Sequence, residues 1–363
     1  MSFMQDENAT MTSDDITPIP AAWILAFISG VSLFCNALNL LIIPTLKELA
    51  DATKVFYVSL AIIDLVFTLL IIVMVKPSLT GKWEYGRLMC KVSGFLIGIT
   101  SGSSATVVAL LNVDRFAFII KPLHYSRIVT TRRCVIAVAV MILLLVFVGV
   151  VEHVFAGDLF DIVRFREFGI CLTDNRHRRF LPFTIFNFVI GYWSPALVIL
   201  CLYVVILRTV WRHSKVIATQ ERIVDQLDGK CSRMSVVHSA GALSPFEKRS
   251  EKVRLLRSEH RRHLKSVAIA ISITGSFILS WLPITISETI QPITGRPVAR
   301  GYQIAFLYLA CCSTWLDSLV YFVLNKEYRS NLKEILRRAK TMFLFLCFVK
   351  WSHRFKVSSD EDT

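Results

Sequence analysis

Apolar residues in this chain gather into seven long runs, near 22–44, 54–75, 89–113, 134–155, 181–207, 265–290 and 302–324, with charge concentrated between them. A helix needs about 20 mostly apolar residues to cross a bilayer, whereas a barrel strand needs about 9–11 of alternating character. These runs are too long and too continuous for barrel strands. In lipid every backbone N–H and C=O must find its partner within the protein. The pattern predicts an all-α membrane protein with a seven-transmembrane helix bundle.

Three segments between or after the runs carry patterns of their own. From Asn325 to Lys340, basic and apolar residues (Tyr328, Leu332, Ile335, Leu336) alternate at helical spacing, which predicts a short amphipathic helix on the membrane surface. From Ile162 to Cys171, apolar and polar residues partly alternate, which fits a hairpin closing the outer end of the bundle; an unstructured basic loop is the plain alternative. The long polar insertion at about 208–264 has ends that read as extensions of helices five and six, and a centre expected to be disordered. The chain thus divides into a tail (1–21), a seven-helix domain (22–325), and a surface helix with its tail (326–363).

Charge sets the orientation. Of the 41 Lys and Arg residues, 30 fall in the segments on the cytoplasmic side and 11 in those on the outer side, if the N-terminus is outside. Basic loops stay in the cytoplasm, so the N-terminus is expected outside and the chain multi-pass in the plasma membrane. The net charge of +14 then reflects topology and attraction to anionic lipid or an acidic partner, with no nucleic-acid role expected. The first 20 residues lack the basic start and apolar core of a signal peptide, so the first run is expected to act as its own insertion signal. Asn8-Ala9-Thr10 is a glycosylation acceptor on the expected outer side. Of nine cysteines, only Cys90 and Cys171 reach the outer surface, and a disulfide between them is the pairing this topology favours. Cys347 lies in an apolar stretch after the surface helix and is a palmitoylation candidate.

Polar residues inside a bilayer are costly and each needs a reason. Asn36, Asp64, Ser104, Ser313 and Asp317 lie within helices one, two, three and seven. If they meet, either a cation such as sodium neutralises Asp64 and Asp317, or one carboxyl holds a proton; helix-to-helix hydrogen bonding alone is the plainer reading. Asp114-Arg115 closes helix three at its inner end. Pro195 and Pro283 fall within helices five and six, where proline removes a backbone bond and kinks the helix.

The order and spacing of these features resemble a known family. Leu60-Ala61-Ile62-Ile63-Asp64 follows Asn36 by the expected interval; Trp83-Glu84-Tyr85-Gly86 precedes Cys90; Asp114-Arg115-Phe116 precedes Lys121-Pro122-Leu123-His124-Tyr125. Tyr203 follows Pro195; Phe277, Trp281 and Pro283 fall in order in helix six; Tyr321 follows Asp317 by four residues. Together they resemble the rhodopsin-like (class A) G-protein-coupled receptors over about residues 22–330. The departures are Asp317-Ser318 in place of Asn-Pro, which should leave helix seven straighter, and a fourth helix without the family's tryptophan. His263 stands where some members carry an acid that pairs with the helix-three arginine, which points to a weak inner lock and raised basal activity.

The resemblance implies a receptor, not an enzyme, that turns binding of an extracellular ligand into activation of a heterotrimeric G protein, with arrestin, a receptor kinase and membrane lipid as further partners. Activation and coupling would fall to Asp114, Arg115, Tyr203, Phe277, Pro283 and Tyr321, with a hinge at Trp281 and Pro283. The ligand pocket would include Ile97, Ser101, Asn187, Trp281, Thr285, Glu288, Gln303 and Leu307. Ile97 stands where amine receptors carry aspartate, and Cys311 where retinal receptors carry lysine, which excludes a Schiff base. A peptide ligand is favoured by the hairpin-like lid, with a small amine-like or melatonin-like ligand as the alternative. A seven-helix transporter or channel is the alternative of another class; it would ordinarily show internal repeats, and none is visible.

Overall fold

The computed structural model describes residues 18–80, 83–156, 162–165, 170–173, 185–186, 188–231, 245–294, 296 and 298–342. Seven helices among them are long and apolar enough to cross a membrane. They are α1 (Pro18–Ile42), α2 (Asp51–Thr80), α3 (Gly86–Ile120), α4 (Thr131–Ala156), α5 (Ser194–Cys231), α6 (Pro245–Thr294) and α7 (Arg300–Leu324). An eighth helix, α8, occupies 326–342. Its start is capped by Asn325, whose Oδ1 accepts from the Glu327 and Tyr328 N–H groups. Arg329 donates to the carbonyls of Phe322 and Val323, which have no further helical partner at the end of α7.

The bundle is knit in sequence order. α1 packs on α2 and α7, α3 on α2, α4 and α5, and α6 on α5 and α7. The main core cluster runs through the inner half and joins Ile42, Phe56, Leu60, Leu111, Ile273 and Tyr321. α4 is the least enclosed helix; Leu143, Leu144 and Phe147 project outward, as expected of a face solvated by lipid. What holds it is close approach to α3. A Cβ on Gly149 would come within 3.0 Å of the Phe95 ring and 3.1 Å of Ile99, so the absent side chain sets the contact distance. That approach packs α4 without the tryptophan missing from it.

The outer hairpin forms. β1 (Ile162–Phe165) pairs antiparallel with β2 (Ile170–Thr173), Ile162 opposite Thr173 and Arg164 opposite Cys171, and β2 lies against α3 and α2. Both ends of the long insertion are helical, α5 running to Cys231 and α6 starting at Pro245; its expected disordered centre lies outside the described residues.

The fifth span refines one expectation. Pro195 lies within it, as expected, but near its start. It is the second residue of α5, and the irregularity is a π-turn just before it, Val189–Trp193. A proline ring crowds the carbonyl four residues back, here Gly191, and offers it no N–H. A widened turn moves that carbonyl aside. α7 is a single unbroken helix through Asp317 and Ser318, as the missing proline suggested.

Candidate functional site

At the inner mouth Asp114 and Arg115 are both buried and joined by a salt bridge of 2.6 Å. Asp114 also accepts from the Tyr125 hydroxyl at 2.6 Å and from Thr53 of α2 at 2.9 Å. Burial, then the neighbouring Asp114 carboxylate, raises the Tyr125 phenol above its ordinary value, so it remains a donor. Arg115 reaches further, to the hydroxyl of Thr53 and to that of Ser266 on α6. One guanidinium therefore ties α3 to α2 and α6. The tie to α6 is neutral on the α6 side, a hydroxyl three residues beyond His263, whose side chain lies outside the described residues.

Toward mid-membrane, Thr274 of α6 accepts from Asn112 Nδ2 at 2.9 Å and from the Tyr203 hydroxyl at 3.2 Å, joining α3, α5 and α6 at one oxygen. Tyr192 donates to the Ile278 carbonyl. Tyr321 is buried between Tyr57 and Tyr328, the first ring edge-on at 4.8 Å and the second stacked at 5.8 Å. Phe277 lies beside Trp281 at 6.0 Å. Pro283 lies inside α6, two residues beyond Trp281.

Asn36, Asp64, Ser104, Ser313 and Asp317 are all buried, but their bonds do not join them in one cluster. Asp64 accepts from Ser104 at 3.3 Å and lies within electrostatic reach of Asp317, which accepts from Ser276 of α6 at 3.4 Å. Asn36 and Ser313 turn elsewhere. Asn36 donates to the Thr314 carbonyl at 2.7 Å and to Ser32, and Ser32 bonds Thr68. Ser313 accepts from Trp281 Nε1 at 3.1 Å. A further chain runs inward: Asn39 donates to Ser318 at 2.7 Å and accepts from Tyr328 at 2.9 Å. Burial pushes the Tyr328 phenol up to about 12. Among the described residues no group of three His, Cys, Asp or Glu side chains could hold a metal ion; the carboxylate pair and its two hydroxyls offer only oxygen donors.

At the outer end, Ile97, Leu307 and Tyr308 pack on Met74 and Ile304, and Ile97, Leu307 and Trp281 also touch the cluster of Phe67, Ile71 and Cys311. Thr285 is buried and bonds the Trp281 carbonyl; Ser101 bonds the Gly98 carbonyl; Gln303 donates to Gln291 at 3.2 Å, linking α7 to α6. Glu288 is half-buried on α6. Asn187, Asn8 and Cys347 lie outside the described residues. Cys90 is buried and disulfide-bonded.

Sequence reasoning missed Thr53, Ser266, Thr274, Asn39 and Ser32. Serine and threonine barely interrupt an apolar run, because each can bond its own preceding turn. One signal was available: Ser29, Ser32, Asn36 and Asn39 recur at three- and four-residue spacing, a polar stripe on one face of α1.

Comparison with known proteins bears on the same segment. Residues 35–324 match the family model described as 7 transmembrane receptor (rhodopsin family). The chain is 23% identical over 317 residues to a GQ-coupled rhodopsin of Mizuhopecten yessoensis, covering 86% of this chain and 57% of that protein. It thus spans little more than half of that relative. It is 24% identical to the melatonin receptor type 1A of Phodopus sungorus, over 92% of this chain and 84% of that one. It is also 24% identical to the galanin receptor 2b of Danio rerio, over 85% and 69%. Squid rhodopsin shares the fold, with a TM-score of 0.71 at 18% identity over 93% of each chain.

Proposed function

The chain belongs to the rhodopsin family of seven-transmembrane receptors, and from that premise we propose that it converts binding of an extracellular ligand into activation of a heterotrimeric G protein. The observation that carries this reading is Arg115: buried at the inner mouth, it bonds α2 and α6 together and would have to release α6 for a partner to enter. A ligand shifts such an equilibrium only by binding the open state more tightly than the closed one. The mobile part would be α6, turning at Pro283 below the ligand and leaving Thr274 and Ser266. Arrestin, a receptor kinase and membrane lipid complete the partner set, and the orientation is N-terminus outside, in the plasma membrane.

For the ligand we favour a peptide, held beneath the β1–β2 lid against Ile97, Ser101, Asn187, Trp281, Thr285, Glu288, Gln303 and Leu307. The lid would be tethered by a Cys90–Cys171 bridge; Cys90 is in a disulfide, and β2, which carries Cys171, lies against α3. A second reading has its own observation. Ile97, Leu307 and Tyr308 form an apolar contact with Met74 and Ile304, a setting suited to a small, neutral, melatonin-like ligand. We further propose a glycan on Asn8, a palmitoyl chain on Cys347, and a sodium ion or a shared proton at Asp64 and Asp317.

The test is nucleotide exchange on purified G protein by the receptor in lipid nanodiscs, screened against peptide, amine and neutral small-molecule libraries. We expect at least one library to stimulate exchange, and Arg115→Ala to abolish that stimulation while ligand binding persists. Ion flux across proteoliposomes with no exchange under any ligand would instead point to a transporter.

A further inference from the structure

The inner end of α6 is held by a second contact, distinct from the one to Arg115. Lys265, adjacent to Ser266, extends its Nζ to within 3.2 Å of Glu48 Oε2 in the first inner loop. That loop is itself anchored. The backbone N–H groups of Lys47 and Glu48 both donate to the Glu327 carboxylate at the head of α8, at 2.6 and 3.1 Å. Asn331 of α8 donates to Thr45 at 2.8 Å, and Lys54 pairs with Asp51 just beyond the loop. Two carboxylates thus act in series: Glu327 fixes the loop backbone, and the fixed loop presents Glu48 to α6.

We propose that Lys265, Glu48 and Glu327 form a latch that holds the cytoplasmic end of α6 closed against the first inner loop and α8. The functional meaning of the latch rests on the receptor reading above; its mechanical action does not. Consecutive residues of α6 face different directions, so Ser266 draws the helix toward α3 while Lys265 draws it toward the α1–α2 turn. Any outward swing breaks both. The two contacts differ in kind. The Arg115–Ser266 bond is part-buried, with its guanidinium enclosed, whereas Glu48 is 63% exposed and Lys265 35%. An exposed ion pair is ordinarily weak, chiefly because two flexible chains must be ordered and salt screens them. Here the loop carrying Glu48 is already ordered by Glu327, which lowers that cost. The latch is therefore small, adjustable and salt-sensitive, and it supplies from loop and surface helix a charged restraint on α6 that the neutral Ser266 does not.

The experiment measures the distance between spin labels on Arg261→Cys of α6 and Ser330→Cys of α8, in full-length receptor with Cys201, Cys231 and Cys347 replaced, without ligand or G protein. Glu48→Gln, Lys265→Gln and Glu327→Gln are each expected to populate a longer distance. They should raise basal nucleotide exchange about two- to fivefold, within the range of exposed ion pairs. The exchange Glu48→Lys with Lys265→Glu should restore the short distance, and 0.5 M salt should lengthen it in the parent but not in Lys265→Gln. Unchanged distances in the single variants, or a charge exchange no better than either half, overturn the latch. Longer distances with no nucleotide exchange in any variant leave the latch standing and count against the receptor reading instead.

Discussion

Among single residues, Thr274 joins three helices at one oxygen. Its hydroxyl accepts from both Asn112 and Tyr203 inside the membrane. Thr274→Val keeps the shape and removes the acceptor, leaving the Tyr203 hydroxyl and one N–H of buried Asn112, whose other bond goes to the Val108 carbonyl, unmet, which costs about 1–3 kcal/mol. We expect a lower thermal midpoint in nanodiscs and, because those bonds belong to the closed arrangement, a higher basal exchange rate. A midpoint equal to the parent's would show that the two donors find other partners. Ser266→Asp has the opposite sign. It offers Arg115 a charged partner on α6 and should lower basal exchange by several-fold, read in the same assay. The carboxylate pair gives a third case. Asp317→Asn removes one of two mutually repelling charges, so any sodium dependence of the thermal midpoint at fixed ionic strength should weaken or vanish. A sodium response unchanged from the parent would count against a cation there.

Elements were more legible in the sequence than the contacts between them. Apolar runs alone located all seven spans, because lipid forces each one to satisfy its own backbone. The surface helix and the outer hairpin also followed from periodicity. What periodicity could not reach was how elements adapt to one another. The π-turn at Val189–Trp193 answers a clash between Pro195 and a carbonyl, and its position depends on tertiary fit. The division of the polar cluster was equally invisible: that Asn36 faces Thr314 and Ser313 faces Trp281 depends on helix rotation, which spacing alone does not fix. α4 offers a prediction at this scale. Leu143, near its middle, points into lipid. In a soluble bundle Leu143→Asp would be nearly neutral. Across a bilayer it should cost about 2.5–3.5 kcal/mol of insertion, seen as a fall in the membrane-integrated fraction during synthesis.

At the scale of the whole molecule, α5 and α6 continue far beyond the bilayer. α6 has 50 residues, a rod of roughly 75 Å at the usual helical rise, against about 30 Å of hydrocarbon. Val224 is buried at the inner limit of the fifth span and Val253 beyond the sixth, and Arg257 pairs with Glu221 at 3.3 Å, so the two extensions pack on each other. Val253→Asn should speed amide hydrogen exchange in the extensions while leaving the thermal midpoint of the bundle in place; a lowered midpoint would mean that the two parts melt together.

The unbroken length of α6 also makes it a lever, with its fulcrum at Pro283. Thr274 sits about 14 Å along the arm, Lys265 about 27 Å and Arg257 about 39 Å, at the usual rise per residue. A tilt of about 10° would then carry these three points through roughly 2, 5 and 7 Å on the same rigid-rod geometry. Each contact is thus strained in proportion to its radius. The outermost, Arg257 with Glu221, must either part first or drag α5 along. The Lys265–Glu48 pair parts next, and the Thr274 bonds near the fulcrum feel the least travel. A progressive opening from the tip inward is the mechanical consequence of building the helix in one piece.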